Sequence, residues 1–304
     1  MTRRQADLLL LLATAMWGTS FVAVKAALGS ATPFAFLTVR FGLATLLLAP
    51  GTRFLPLPRG RELWGGLLLG ALVATGFVSV TLGLLVTTPA RSAFIVAISS
   101  VLAPVIAFVL LRRRPGWLAA AALGLATLGV YLLTAPQSGG LNRGDLITLV
   151  TAVCFGGQIV AVTELAPSSE PRRLVWIQLA ATALLSGVAG LALERPHIEW
   201  TREFVVALGW TVAFASTGSF VLQAHAQRHM SSARAALIFC FEPLFAAATS
   251  WLVLGERLSV LQWAGGGLIL VGMVLPEVKP RHPSAVVRDP LLEQEPPQRI
   301  TESG

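Results

Sequence analysis

The chain has 304 residues, 55% of them hydrophobic and only 12% charged, with a formal net charge of +8. Soluble domains carry roughly 25% charged residues, so this composition excludes the pair of soluble domains that length alone would suggest. Its basic residues stand in short stretches between apolar runs, as at Arg112-Arg113-Arg114, with no interleaved aromatics, which points to a membrane rather than to nucleic acid.

Apolar runs of about 18–23 residues, the length that crosses a bilayer, predict ten transmembrane helices. They cover residues 8–27, 33–50, 64–86, 92–111, 116–134, 145–164, 172–192, 204–226, 232–254 and 260–276. The first follows Arg3 and Arg4 as a signal peptide would, but it runs on without a convincing cleavage site and reads as a membrane helix. Turn residues fill the connections, as in "GSATP", "APQSGG" and "APSSEP". Arginines crowd one side of this topology, at residues 3–4, 53–61, 112–114, 172–173 and 228–234, and the other side has fewer basic residues. By the positive-inside rule both ends are cytoplasmic. Residues 277–304 are polar and proline-rich and predict a disordered cytoplasmic tail. Cys154 and Cys240 lie inside apolar runs and read as small packing residues, with no disulfide, metal or cofactor expected.

The two halves repeat. "DLLLLLATAMWGTSFVAVK" from Asp7 matches "DLITLVTAVCFGGQIVAVT" from Asp145 at an offset of 138, which also aligns Pro33 with Pro171 and Arg40 with Gln178. "PARSAFIVAISS" from Pro89 matches "SARAALIFCFEP" from Ser232 at an offset of 143, held to the end of each half. Five spans per repeat, an odd number, would insert the second copy upside down. The expected fold is an all-α integral membrane protein with ten transmembrane helices as two inverted five-helix repeats, residues 7–134 and 145–276. Secondary transporters use this architecture, with the substrate held near the midplane between the halves.

Three stretches carry a resemblance to a known family: "ATAMWGTSFVAVKAAL", "FLTVRFGLATLLL", and above all "AQRHMSSARAALIFCFEPLFAAATSWLVLGERLSVLQWAGGGLILVGMVL". There small residues, Glu-Pro, Gly-Glu-Arg and a glycine-rich final span follow in order. The chain resembles the EamA family of the drug/metabolite transporter superfamily. That resemblance implies export or exchange of amino acids, purines, drugs or related small metabolites. The first half departs from the pattern: Ser99-Ser100 replaces Glu242-Pro243, and its proline, Pro104, comes a turn later.

An ionisable residue inside a membrane span is a functional candidate by default. Glu242 stands alone in span nine, and Pro243 removes a backbone donor and permits a kink. The acid could face a cavity or tie helices together. Pro104 and Pro243 are the candidate hinges. Arg40, always charged, could pair with Glu242, bind a substrate carboxylate or reach headgroups. Trp17, Ser20 and Phe21 share a face of span one. Ser216, Ser219, Gln223 and Gln227 share a face of span eight, and Gln158 is the repeat mate of Ser20. The substrate or coupling candidates are therefore Trp17, Ser20, Arg40, Gln158, Gln178, Gln223 and Glu242. Such polar stripes either line a cavity or bond between helices. His225 and His229 have a ligand spacing but no acid or cysteine beside them, which argues against metal.

No HExxH, no GxSxG and no second midmembrane acid supports an enzyme, and the tail is too short for a signalling domain. The expected function is a secondary transporter, not an enzyme, in a bacterial inner membrane. It would be multi-pass, a monomer or homodimer, moving a small-molecule substrate through the lipid bilayer by alternating access. Export is the expected direction and uptake or exchange the alternative, with protons as a coupling ion and no nucleic acid partner.

Overall fold

The computed structural model describes residues 1–52, 60–87, 89–113, 116–134, 142–255 and 259–275. The basic residues at 53, 59, 114 and 257, the Glu256 of Gly-Glu-Arg, and the tail expected to be disordered lie outside the described residues. Helices cover the apolar runs: α1 (Arg3–Ala27), α2 (Pro33–Leu48), α3 (Arg61–Val86), α4 (Pro89–Leu111), α5 (Trp117–Thr134), α6 (Arg143–Leu165), α7 (Pro171–Leu193), α8 (Arg202–Trp210), α9 (Ser219–Gln227), α10 (Ser232–Phe239), α11 (Glu242–Leu254) and α12 (Val260–Val274). A π-helical segment, Thr211–Gly218, joins α8 to α9 in one rod. α10 and α11 are broken apart at Cys240 and Phe241. The described residues contain no strand, only an isolated bridge between Ala31 and Ile198.

Seven helical stretches among the described residues are long and apolar enough to cross a membrane; the sequence predicts ten. The remaining three, α4, α5 and α12, each adjoin residues outside the description, and α12 has only 15 residues.

Local chemistry sets the helix ends. Thr2 with Gln5, and Asn142 with Asp145, form capping boxes that satisfy the first free N–H groups of α1 and α6. Pro33 and Pro171 start α2 and α7 where their missing donor costs nothing. Gly255 ends α11 at φ 69°, a conformation that favours glycine. Inside the apolar layer the threonines return their hydroxyls to the carbonyl four residues back, Thr14 to Leu10 at 2.8 Å and Thr45 to Phe41 at 2.8 Å. At these positions no free donor faces hydrocarbon.

α1 runs through the middle, against α8, α9, α10 and α11. α3 packs on α6 and α7, α2 on α7, α4 on α6 and α10, and α5 on α12. Small residues permit this where lipid gives no hydrophobic drive for association. At Gly18 a methyl group would lie 2.6 Å from the Glu242 backbone carbonyl and 2.6 Å from the Phe245 Cβ. At Gly70 it would lie 2.4 Å from the Ala181 Cβ. Glycine at position 18 therefore fixes how closely α1 approaches the start of α11. Large apolar side chains face outward, among them Leu46, Leu191 and Leu252, as a lipid-facing surface requires.

Candidate functional site

A cavity of about 700 Å³, its open mouth included, lies between α1, α3, α4, α6, α9, α10 and α11. Its lining is organised by the sequence repeat. Trp17 and Phe155, Ser20 and Gln158, and Phe21 and Ile159 are pairs at the offset of 138. Phe77 and Phe220, Val80 and Gln223, Val96 and Phe239, and Ser99 and Glu242 are pairs at 143. The mates differ in one direction: Ser20, Val80 and Ser99 in the first half become Gln158, Gln223 and Glu242 in the second. One half supplies an apolar wall with small hydroxyls, and the other supplies every long polar side chain.

Five predicted residues meet here: Trp17, Ser20, Gln158, Gln223 and Glu242. Glu242 opens α11, just after the break at Cys240 and Phe241, with Pro243 behind it. The helix is thus interrupted at the acid itself, and Pro243, at an N-terminal position of α11, needs no intrahelical donor there. Glu242 is half-buried, and its carboxylate has no hydrogen bond or ion pair among the described residues. Gln158 and Gln223 bond to each other reciprocally, both at 3.0 Å, across α6 and α9. Trp17 donates its indole N–H to the Ala215 carbonyl at 2.9 Å. The π-helical turn exposes that carbonyl, which also accepts from the Ser219 hydroxyl at 2.8 Å.

Aromatic rings form a continuous wall. Phe155 to Phe77 is 5.2 Å between centroids, Phe77 to Phe220 6.3 Å, Phe220 to Trp17 5.2 Å and Trp17 to Phe239 5.6 Å. Ser20 turns its hydroxyl to the Trp17 carbonyl at 2.7 Å.

Arg40, Gln178 and Pro104 are placed elsewhere. Arg40 is fully buried outside the cavity and does not pair with Glu242, nor does it reach a headgroup. Its Nε donates to Ser216 Oγ at 2.8 Å and an Nη2 proton points to the Ala215 carbonyl at 3.5 Å. Its guanidinium stacks near Phe77, Phe41 and Phe36, at 4.7, 5.0 and 6.0 Å. Among the described residues the cation is held by aromatic faces and the π segment rather than by an acid, and its Nη1 has no hydrogen-bond partner. Gln178 is buried on α7, away from the lining, with its amide nitrogen unpartnered. Pro104 is buried within an unbroken α4. Of the stripe on span eight, Ser216 serves Arg40, and Gln227 donates to the Ile159 carbonyl at 3.1 Å and Thr163 Oγ1 at 3.0 Å. The described residues contain no group of three metal ligands. Sequence reading missed Phe77, Phe155 and Phe220. The signal was present, because Phe77-Val78 recurs as Phe220-Val221 at the offset of 143.

The two ends of the bundle are unlike. At the end where α1 begins, Arg234 grips Asp7, with Nε to Oδ1 at 2.7 Å, and Glu62 takes Arg173 and the Glu170 amide. Arg113 pairs with Glu164 on the same side. Leu10, Ile159, Ile238 and Phe239 pack into one apolar cluster between this end and the cavity. At the other end the cavity reaches Val24 and Leu84, within a turn of the last residues of α1 and α3. There Lys25 Nζ donates to the Leu84 and Thr87 carbonyls.

The family model for the EamA-like transporter family matches residues 4–135 and again 142–276. An "Uncharacterized transporter" of Archaeoglobus fulgidus is 33% identical over 273 residues, covering 90% of this chain and 86% of the relative. The "Uncharacterized inner membrane transporter YicL" of Salmonella typhimurium is 26% identical, covering 90% of this chain and 95% of the relative. A solved structure described as "Crystal structure of protein" superposes with a TM-score of 0.76 at 17% identity, over 91% of this chain and 99% of that one, a likeness of fold. The chain belongs to the EamA-like transporter family.

Proposed function

We propose that this EamA-like family member is a secondary transporter that exports small amphipathic metabolites or drugs across a bacterial inner membrane by alternating access. The cavity is its substrate site. One observation carries the reading: seven pairs of repeat-related residues converge on a single chamber, where an inverted repeat would put a midplane site. The charged pairs and apolar cluster at the Asp7 end form the closed gate of this state. The open path runs toward Lys25. The turn at Cys240 and Phe241, just before Glu242, is the joint, since irregular backbone is tolerated at membrane depth where it borders a cavity. α4, α5 and α12 complete ten crossings, with both termini cytoplasmic.

Purified protein alone in liposomes is expected to support counterflow of at least one compound from a panel of amino acids, nucleobases and cationic dyes. Absence of movement for every class, with correctly inserted protein, would remove the transporter reading. Topology has its own test. With Cys154 and Cys240 replaced by alanine, cysteines at Gly60 and Ser169 are expected to react with an impermeant maleimide only from the cytoplasmic face, and one at Pro196 only from outside. Reaction of all three from one face would overturn the ten-crossing arrangement.

A further inference from the structure

We infer that the cavity selects monocationic amphipathic compounds, with an ammonium group at Glu242 and a flat apolar body along the aromatic wall. This inference rests on the cavity being the transport site and names its substrate class. Among the described residues Glu242 is the only ionisable group in the lining, and its carboxylate lacks a protein partner among them. A carboxylate in a mostly apolar chamber is costly unless something charged or hydrogen-bonding meets it. No described residue of the lining bonds to it, so the ligand is the natural source.

Among the described residues, neither Arg40 nor Lys25 competes for the acid. Arg40 stands behind Phe77, its charge spread over three rings and bonded to Ser216. Lys25 is bonded at the mouth, to the carbonyls of Leu84 and Thr87. A carboxylate-bearing compound would therefore meet an acid and no accessible cation at the chamber's centre. The faces of Trp17, Phe155 and Phe220 favour both a flat body and a positive charge. The Gln158 and Gln223 amides are already bonded to each other, which leaves the acid and the Thr81 hydroxyl as free acceptors among the described lining residues, and only the acid carries charge.

The test uses four compounds on one scaffold, two cations, a neutral compound and an anion: phenethylamine, phenethyltrimethylammonium, 2-phenylethanol and 3-phenylpropionate. Equilibrium binding to the purified full-length protein in detergent is expected to favour both cations over the alcohol and the acid by about tenfold or more. Glu242→Gln should reduce cation binding about tenfold and leave the alcohol within about twofold. Should that variant misfold, the wild-type order across the four compounds decides alone. Equal or tighter binding of 3-phenylpropionate or the alcohol, or binding of none of the four, overturns the inference. Liposome flux separates the two layers. Movement of compounds without preference for cations keeps the transporter and discards the cation site. Cation binding without movement of phenethyltrimethylammonium, which cannot cross by losing a proton, keeps the site and discards the transporter.

Discussion

Glu242→Gln is expected to lower transport by about a hundredfold while the protein inserts normally and stays monodisperse. An ionised acid at a helix centre costs about 3 kcal/mol on insertion scales, so the neutral amide makes insertion easier. The loss therefore has to come from function. A difference of about 3 kcal/mol in the interaction made during the cycle is roughly a hundredfold in rate or affinity. The amide keeps the shape of the side chain and its place beside Pro243, and removes only the charge. Flux of a neutral compound and of a cation should be measured side by side. Loss for the cation alone identifies the acid as a binding group. If concentrative transport fails and downhill exchange survives, the acid carries a coupling proton. Unchanged flux of both would make Glu242 merely structural.

Arg40→Met should leave the protein folded but reduce transport about tenfold or more, through Trp17. A buried guanidinium with no acid beside it carries a desolvation cost, and replacing buried ionic groups by apolar residues of similar volume is often neutral or stabilising. Methionine fills the space among Phe36, Phe41 and Phe77. What it cannot do is bond to Ser216 and to the Ala215 carbonyl, the carbonyl to which Trp17 is also fixed. The thermal midpoint is expected to move by no more than a few degrees, while flux falls. Arg40→Ala, which leaves a vacancy as well, is expected to lose stability by about 2–5 kcal/mol. Normal flux in Arg40→Met would show that the buried cation has no part in positioning Trp17.

The sequence made the helices and the repeat readable because both depend on periodic, local features: apolar runs of bilayer length, and matched residues at fixed offsets. Glu242 was legible for the same reason, as a lone acid in such a run, and the chamber was reachable through Ser20 and Gln158. Arg40 was misplaced because its environment is three-dimensional. Its span and that of Glu242 suggested an ion pair, but the side chain instead lies among rings from α2 and α3 and reaches a π segment. A π turn has no distinct residue pattern, so nothing in "TVAFASTG" announced that Ala215 would present its carbonyl to Trp17. Gln178 shows the limit of symmetry: it is the repeat mate of Arg40, yet neither residue lines the cavity. Pro243 permitted a kink in the sequence reading, and α10 and α11 are separated just before it, at Cys240 and Phe241. Pro104 lacks the neighbouring acid, and α4 runs through it as one helix.

The central claim is that one chamber opens to each face of the membrane in turn. Ser20→Cys, in a background with Cys154 and Cys240 replaced by alanine, places a thiol on the chamber wall between the closed Asp7 end and the Lys25 end. It should be treated with an impermeant thiol reagent in vesicles of known orientation. The expected result is modification from both faces. From the face of the Asp7 end it should be slower, since Arg234 must first release Asp7, and phenethyltrimethylammonium should slow it from either side. Modification from one face only, under every condition, would contradict alternating access through this chamber.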